Sequence, residues 1–215
     1  MLISVGGDQY EILRVFCIGR IYVAHIEELK SERLESPTIF AKPLTSLVPP
    51  GTDIRIPVHG NDLQHEAEVV VLIGKGGAPR DLQEAAGFIK GLSLGLDLTL
   101  RDVQKVQKEK GLPWEIAKSF DQSAPIGTFS LYNGTLDLGN IPFSCRVNGE
   151  PRQQGNTADM IFPIPLLVLK VSRIWRLLPG DLIYTGTPAG VGSLRQGDTI
   201  TLESGPLGTF SWNIR

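Results

Sequence analysis

The sequence predicts a β-rich α+β fold. Two observations carry this reading. The 215 residues include 24 Gly and 15 Pro, more than an ordinary domain needs, so turns are frequent. The apolar runs are short and bounded by Gly, Pro, Asn or Asp, as strands are, and only a few segments repeat at helical spacing. Hydrophobic residues make up 41% and charged residues 20%, a globular balance. This length suits one well-cored domain, residues 1–215, with 1–14 as a lead-in strand region.

Taken in order, "ILRVFCI" (12–18) reads as a strand, and "GRIYVAHIEELKSERLES" as a loop and short helix in which Ile26 and Leu29 share a face. "TIFAKPLTSLVPPGTDIRIP" reads as short strands interrupted by Pro and Gly. Val69 to Ile73 reads as a buried strand, and "GKGG" (74–77) as a turn without phosphate-loop spacing. "PRDLQEAAGFIKG" predicts an amphipathic helix, with Leu82, Ala85, Ala86 and Ile89 on one face and Gly91 past its end. "LSLGLDLTL" predicts a strand that meets Asp97, and "RDVQKVQKEKG" a helix ending at Gly111. Asn148-Gly149 is a strong hairpin signal. "IPLLVLKVSRIWRLL" predicts a helix packed on the sheets, and Gly-Asp turns at 180–181 and 197–198 flank strands. In the final strand Phe210, Trp212 and Ile214 share one face.

A net charge of −2 provides no electrostatic footprint for nucleic acid or an anionic membrane, so neither is expected as a partner. No run of about 18 apolar residues predicts a membrane helix. The first residues lack a basic n-region and a long apolar run, so no signal peptide is expected. Cys17 and Cys145, each in an apolar stretch, read as buried thiols in a reducing, cytoplasmic setting.

The chemistry begins at "DLQHEAEVVVLIG" (62–74), where Glu66 and Glu68 stand at the mouth of the buried strand. Residues i and i+2 of a strand face the same way, about 6.5–7 Å apart. Two ionised carboxylates so placed repel, and burial worsens the repulsion. They must face water, share a proton or hold a cation. Asp97 interrupts another apolar strand, where a lone acid is costly unless it is paired or metal-bound. Three carboxylates suit Mg²⁺, Mn²⁺ or Ca²⁺ better than Zn²⁺. His65 is expected on the opposite face.

Five ordered motifs then carry a resemblance. "HEAEVVVLIG", "GLDLTLRDVQ", "GLPWEIAKSFD", "VNGEPRQQGNTADMIF" and "GDLIYTGTPAGVG" resemble the signatures of the fumarylacetoacetate hydrolase family, most closely its small acylpyruvase branch, from about residue 15 to the C-terminus. The resemblance implies a mixed β-sandwich or rolled β-fold, a homodimer, and a Mg²⁺ or Mn²⁺ ion (Ca²⁺ as its stand-in in crystals) on Glu66, Glu68 and Asp97. It puts a lysine beside the metal at Lys118, and a His–Glu dyad on a mobile lid helix at His25 and Glu28. Their i, i+3 spacing lets the two meet on one helix face, and a carboxylate that fixes the His tautomer suits a base. Arg20, Gln104, Gly186 and Thr187 are expected at the substrate, with Lys42 a weaker candidate. Arg101 and Asp102 read as a structural pair, and Trp114 as packing. Ile21 stands where the family usually carries Asn, which removes a hydrogen-bonding side chain.

The activity these residues imply is hydrolysis of a C–C bond in a small β-diketo acid, an acylpyruvate such as acetylpyruvate or fumarylpyruvate. His25 would activate water, and the cation and Lys118 would stabilise the enolate expelled. The alternatives are decarboxylation of oxaloacetate, or keto–enol isomerisation of oxaloacetate or a muconate-type diacid, at the same site. A non-catalytic metal-binding protein is the rival from another class.

Overall fold

The computed structural model describes residues 1–28 and 36–215; Leu29 lies outside the described residues. The centre is a six-stranded mixed sheet, in spatial order Ser130–Leu131, Ile89–Leu96, Ala67–Ile73, Leu182–Tyr184, Val15–Gly19 and Thr38–Lys42. Only the Leu182–Tyr184 and Val15–Gly19 pair is parallel. A four-stranded antiparallel sheet, Glu150–Asn156, Pro142–Val147, Thr199–Ser204 and Gly208–Asn213, packs on it. A small three-stranded sheet joins Gly192–Ser193, Leu63–His65 and Thr99–Leu100. The lead-in region is a hairpin, Leu2–Val5 with Asp8–Glu11.

Ala67–Ile73 is uninterrupted in its apolar run because both of its faces are covered. Val69, Val71 and Ile73 enter the core shared with Leu202, Phe210 and Trp212. Val70 and Leu72 face a second core with Ile3, Val5, Ile12 and Tyr184. Each such side chain contributes about 1.5–3 kcal/mol of burial, so the strand entering the site is anchored from two sides. Phe210, Trp212 and Ile214 are buried, as their period-2 spacing predicts. Asn148 and Gly149 both take left-handed φ, 54° and 82°, and close the Pro142–Val147/Glu150–Asn156 hairpin.

The helix predicted across "PRDLQEAAGFIKG" is shorter than its periodicity suggests. It runs Leu82–Ala86, capped at its start by Asp81 and ended at Gly87. Ile89 opens the next strand, where it pairs with Ile73, and Leu82 is exposed. An apolar residue at i+7 is buried equally well by a sheet, and the sheet offers Ile89 backbone partners that another helical turn would not. The helix predicted in "IPLLVLKVSRIWRLL" is Ile164–Ser172, and the strand in "ILRVFCI" begins at Val15. Cys17 and Cys145 are buried free thiols. Among the described residues, no helix is long and apolar enough to cross a membrane.

Candidate metal centre and active-site cleft

Glu66 occupies the break between Leu63–His65 and Ala67–Ile73, and Glu68 lies one residue into the second strand. Asp97 follows the end of Ile89–Leu96, and its N–H donates to the Glu66 carbonyl at 2.8 Å. That bond ties two acids, 31 positions apart in sequence, into one corner. All three side chains are buried, and one carboxylate oxygen from each lies within 4.8 Å of the others.

Three buried or half-buried cations surround the acids. Lys118 Nζ donates to Glu66 Oε2 at 2.6 Å and Asp97 Oδ2 at 2.7 Å. Arg101 Nη2 donates to Glu66 Oε1 at 2.5 Å. Lys42 Nζ lies 2.9 Å from Asp97 Oδ1 and also donates to the carbonyls of Leu98 and Lys118. It sits off the line of a hydrogen bond to Asp97, which leaves Oδ1 buried with no hydrogen-bond partner.

The electrostatics divide the acids. Burial would raise Glu66, but Lys118 and Arg101 outweigh it and hold the carboxyl well below the usual range. Glu68 is pushed well above that range, first by burial and then by the charges of Asp97 and Glu66, with only partial relief from the Gly186 N–H. Burial pulls the Lys118 ammonium down, yet Asp97 and Glu66 raise it overall. An orphaned buried oxygen, a carboxyl that resists ionising, and an all-oxygen donor set fit a hard divalent cation.

The remaining predicted residues fall at two places. His25 and Glu28, on the short helix Val23–Glu28, meet as their spacing predicts, with Nδ1 3.0 Å from Glu28 Oε2. Glu28 Oε1 accepts from the Gly190 N–H at 3.0 Å. His25 lines the cleft over the acids together with Arg20, Gln104, Trp114 and Lys118. Gly186 and Thr187 do not line it. The Gly186 N–H donates to Glu68 Oε2 at 2.7 Å, and the Thr187 hydroxyl donates to the Ala67 carbonyl at 2.8 Å. Both contacts brace the strand that carries Glu68. A larger groove of about 1370 Å³ lies elsewhere, beside Asp53 and Arg215, but it holds no carboxylate cluster.

Two further expectations change. Arg101 and Asp102 are not a pair: Asp102 accepts from the Asn61 N–H, while Arg101 reaches into the cleft to Glu66, Gln64 and Gln104. Successive helix residues point about 100° apart, so neighbours in sequence face different partners. Lys42, ranked low from sequence, is fully buried against Asp97. Lys108 was missed. Its signal was spacing, because Arg101, Gln104 and Lys108 fall at i, i+3 and i+7 on one face of Arg101–Glu109. His65 turns away as expected, to Gln153 and Cys145.

Gly186 has a left-handed φ of 96°, and an added Cβ would lie 2.9 Å from Ile21 Cγ1. Ile21 is buried and closes this side of the loop. Gly186→Ala is therefore expected to cost about 1–2 kcal/mol of backbone strain and to pull its N–H from Glu68. Mn²⁺ affinity, read by electron paramagnetic resonance titration, should fall about tenfold, as for other groups that orient a metal ligand.

This strand-rich frame with a buried three-carboxylate centre beneath a cationic cleft defines a class: folds whose carboxylate cluster is suited to a hard divalent cation. The chain belongs to the fumarylacetoacetate hydrolase family, whose C-terminal domain model matches residues 14–215. It is 41% identical over 201 residues to the mitochondrial oxaloacetate tautomerase FAHD1 of Mus musculus, covering 94% of this chain and 90% of that one. It is 41% identical over 188 residues to the mitochondrial oxaloacetate decarboxylase of Dictyostelium discoideum, covering 87% and 86%. Among solved structures, it matches a fumarylpyruvate hydrolase from Pseudomonas aeruginosa in complex with Mn²⁺ and pyruvate, with a TM-score of 0.93 and 35% identity over 100% of this chain and 95% of that one. The family's members are thus enzymes, and they share a fold more than a single reaction.

Proposed function

We propose that the protein interconverts the keto and enol forms of oxaloacetate or a closely related 2-keto diacid, with Mg²⁺ or Mn²⁺ held by Glu66, Glu68 and Asp97. One observation carries this reading: the charge balance of the buried centre. With all three carboxylates ionised, as holding a cation would require, they balance Lys42, Lys118 and Arg101. A divalent cation makes the centre a site for a dianion, which oxaloacetate is at neutral pH. The names of the two curated relatives support the same substrate class.

When bound, the cation supplies Lewis acidity toward the 2-keto oxygen and its carboxylate. The chain's residues do the rest. Glu28 accepts from His25 Nδ1, which leaves Nε2 as the basic atom of a ring that lines the cleft. His25 takes a proton from C3 and returns one to oxygen or carbon. Lys118, fixed between Glu66 and Asp97, places positive charge where the enolate oxygen develops. The Gln104 carbonyl oxygen is held by Arg101, which frees its amide N–H for the substrate.

The second reading is acylpyruvate hydrolysis, with His25 activating water instead. The His25–Glu28 pair suits that role equally, and the fumarylpyruvate hydrolase likeness favours it. Mg²⁺-loaded protein should speed the ultraviolet absorbance change of enol oxaloacetate, and a chelator should abolish the effect. His25→Ala should slow it by about 10²–10⁴-fold. An unaccelerated tautomer equilibrium alongside rapid cleavage of acetylpyruvate would replace this proposal with the hydrolase. The working unit is proposed as a homodimer, to be checked by light scattering. A reducing compartment such as the cytoplasm is proposed for the two free thiols.

A further inference from the structure

The mouth of the cleft is more cationic than the centre beneath it requires. Lys108 and Arg20 approach the ring of Trp114 at 5.2 Å and 5.9 Å. Neither forms an ion pair with an acid among the described residues. The Arg20 Nε is buried without a hydrogen-bond partner, and Arg20 adopts a left-handed φ of 63°, a strained conformation for a side chain of this size. Among the described residues, the only acid lining the cleft is Glu66, which is already held by Arg101 and Lys118. Two cations at one aromatic ring, lining one cleft and without an acidic partner among the described residues, repel unless an anion comes between them.

We propose that Lys108, with Arg20, receives the second carboxylate of the substrate, and that Lys108 makes the cleft select 2-keto or 2-hydroxy diacids over the corresponding monoacids. This rests on the diacid reading above and goes beyond it by naming the residue that recognises the distal group. Trp114 offers its ring to both cations. The Lys108 ammonium is pulled down to about 8, first by burial and then by Arg101, Arg20 and Lys118, against an opposing pull from Glu66. It is therefore charged at pH 7 and loses that charge as pH rises through 8. His25 also faces this cleft, so a monoacid that meets the same His25 is the control for any change there.

L-malate and L-lactate are stable probes that differ only by the distal carboxylate. Calorimetry on Mg²⁺-loaded wild-type protein at pH 7 should show malate bound at least about tenfold more tightly, the worth of one charge-assisted hydrogen bond. In Lys108→Met the malate affinity should fall about tenfold with lactate unchanged, and Lys108→Arg should retain the preference. At pH 9 the wild-type preference should shrink toward that of Lys108→Met. The proposal is overturned if Lys108→Met, with an unaltered Tm, keeps the preference, if both acids weaken equally, or if wild type does not distinguish them. A wild-type protein that prefers malate through Lys108 but leaves oxaloacetate tautomerisation at its uncatalysed rate would overturn the catalytic reading and keep this one.

Discussion

Glu68→Gln is expected to abolish catalysis and, in the metal-free protein, to leave Tm unchanged or raise it. Glu68 is buried, and its carboxyl is held well above its ordinary pKa by burial and by Asp97 and Glu66. The sign follows from linkage. A carboxyl harder to ionise in the folded state than in the unfolded chain costs stability once pH rises above its unfolded value near 4.5. At pH 7 that cost is present, and a neutral amide removes it. The Gln carbonyl can still accept from the Gly186 N–H, and its NH₂ faces two acids. What is lost is one of the three proposed cation ligands. Keto–enol exchange should fall by at least about 10³-fold, the worth of several kcal/mol of charge stabilisation. Thermal melts with and without Mg²⁺ check both halves: the ion should raise the wild-type Tm clearly and that of Glu68→Gln little. A large loss of metal-free stability in Glu68→Gln would contradict the electrostatic account.

Lys118→Met should behave in the opposite way. Lys118 is buried and is the cation shared by Glu66 and Asp97. Its removal leaves buried carboxylates short of a partner, at a cost of about 3–5 kcal/mol, or roughly 10 °C in Tm for a chain of this length. The thioether chain fills most of the space, so the loss is electrostatic more than steric. A divalent ion at the same corner supplies positive charge, so saturating Mg²⁺ should recover much of the stability. Activity should stay low, because the ammonium beside the developing enolate is not replaced. Stability and turnover measured on the same samples, with Mg²⁺ varied, would separate the two roles of Lys118. Recovery of both by metal would assign it to charge balance alone.

The difference between these two variants shows what could be read from the chain and what could not. Glu66 and Glu68 were visible because acids at the mouth of an apolar strand are costly, and Asp97 because it breaks another such strand. The His25–Glu28 contact was visible because i, i+3 on a helix is a fixed geometry. Gly186 and Thr187 are visible as special residues, but their bonds to Glu68 and Ala67 are not. Which group a loop N–H braces depends on which strand lies beside it, and Glu68 is 118 positions away. The spacing of Ile89 fits a helix; the sheet takes it because Ile73 is there to pair with it.

By itself, the sequence determined a β-rich α+β chain, a buried strand entering an acidic corner, three carboxylates suited to a hard cation, and a His–Glu pair. Local periodicity and the cost of burying charge carry the strand and the acidic corner; the resemblance to the family singles out the three acids as ligands and His25 with Glu28 as a pair. Only the tertiary structure decided how that charge is answered. It set Lys42 against Asp97, turned Arg101 away from Asp102 and toward Glu66, and brought Lys108 and Arg20 to Trp114. The physical reason is range. Backbone preference and periodicity act over a few residues, whereas Coulomb pairing inside a protein acts through space and takes partners from wherever the fold delivers them.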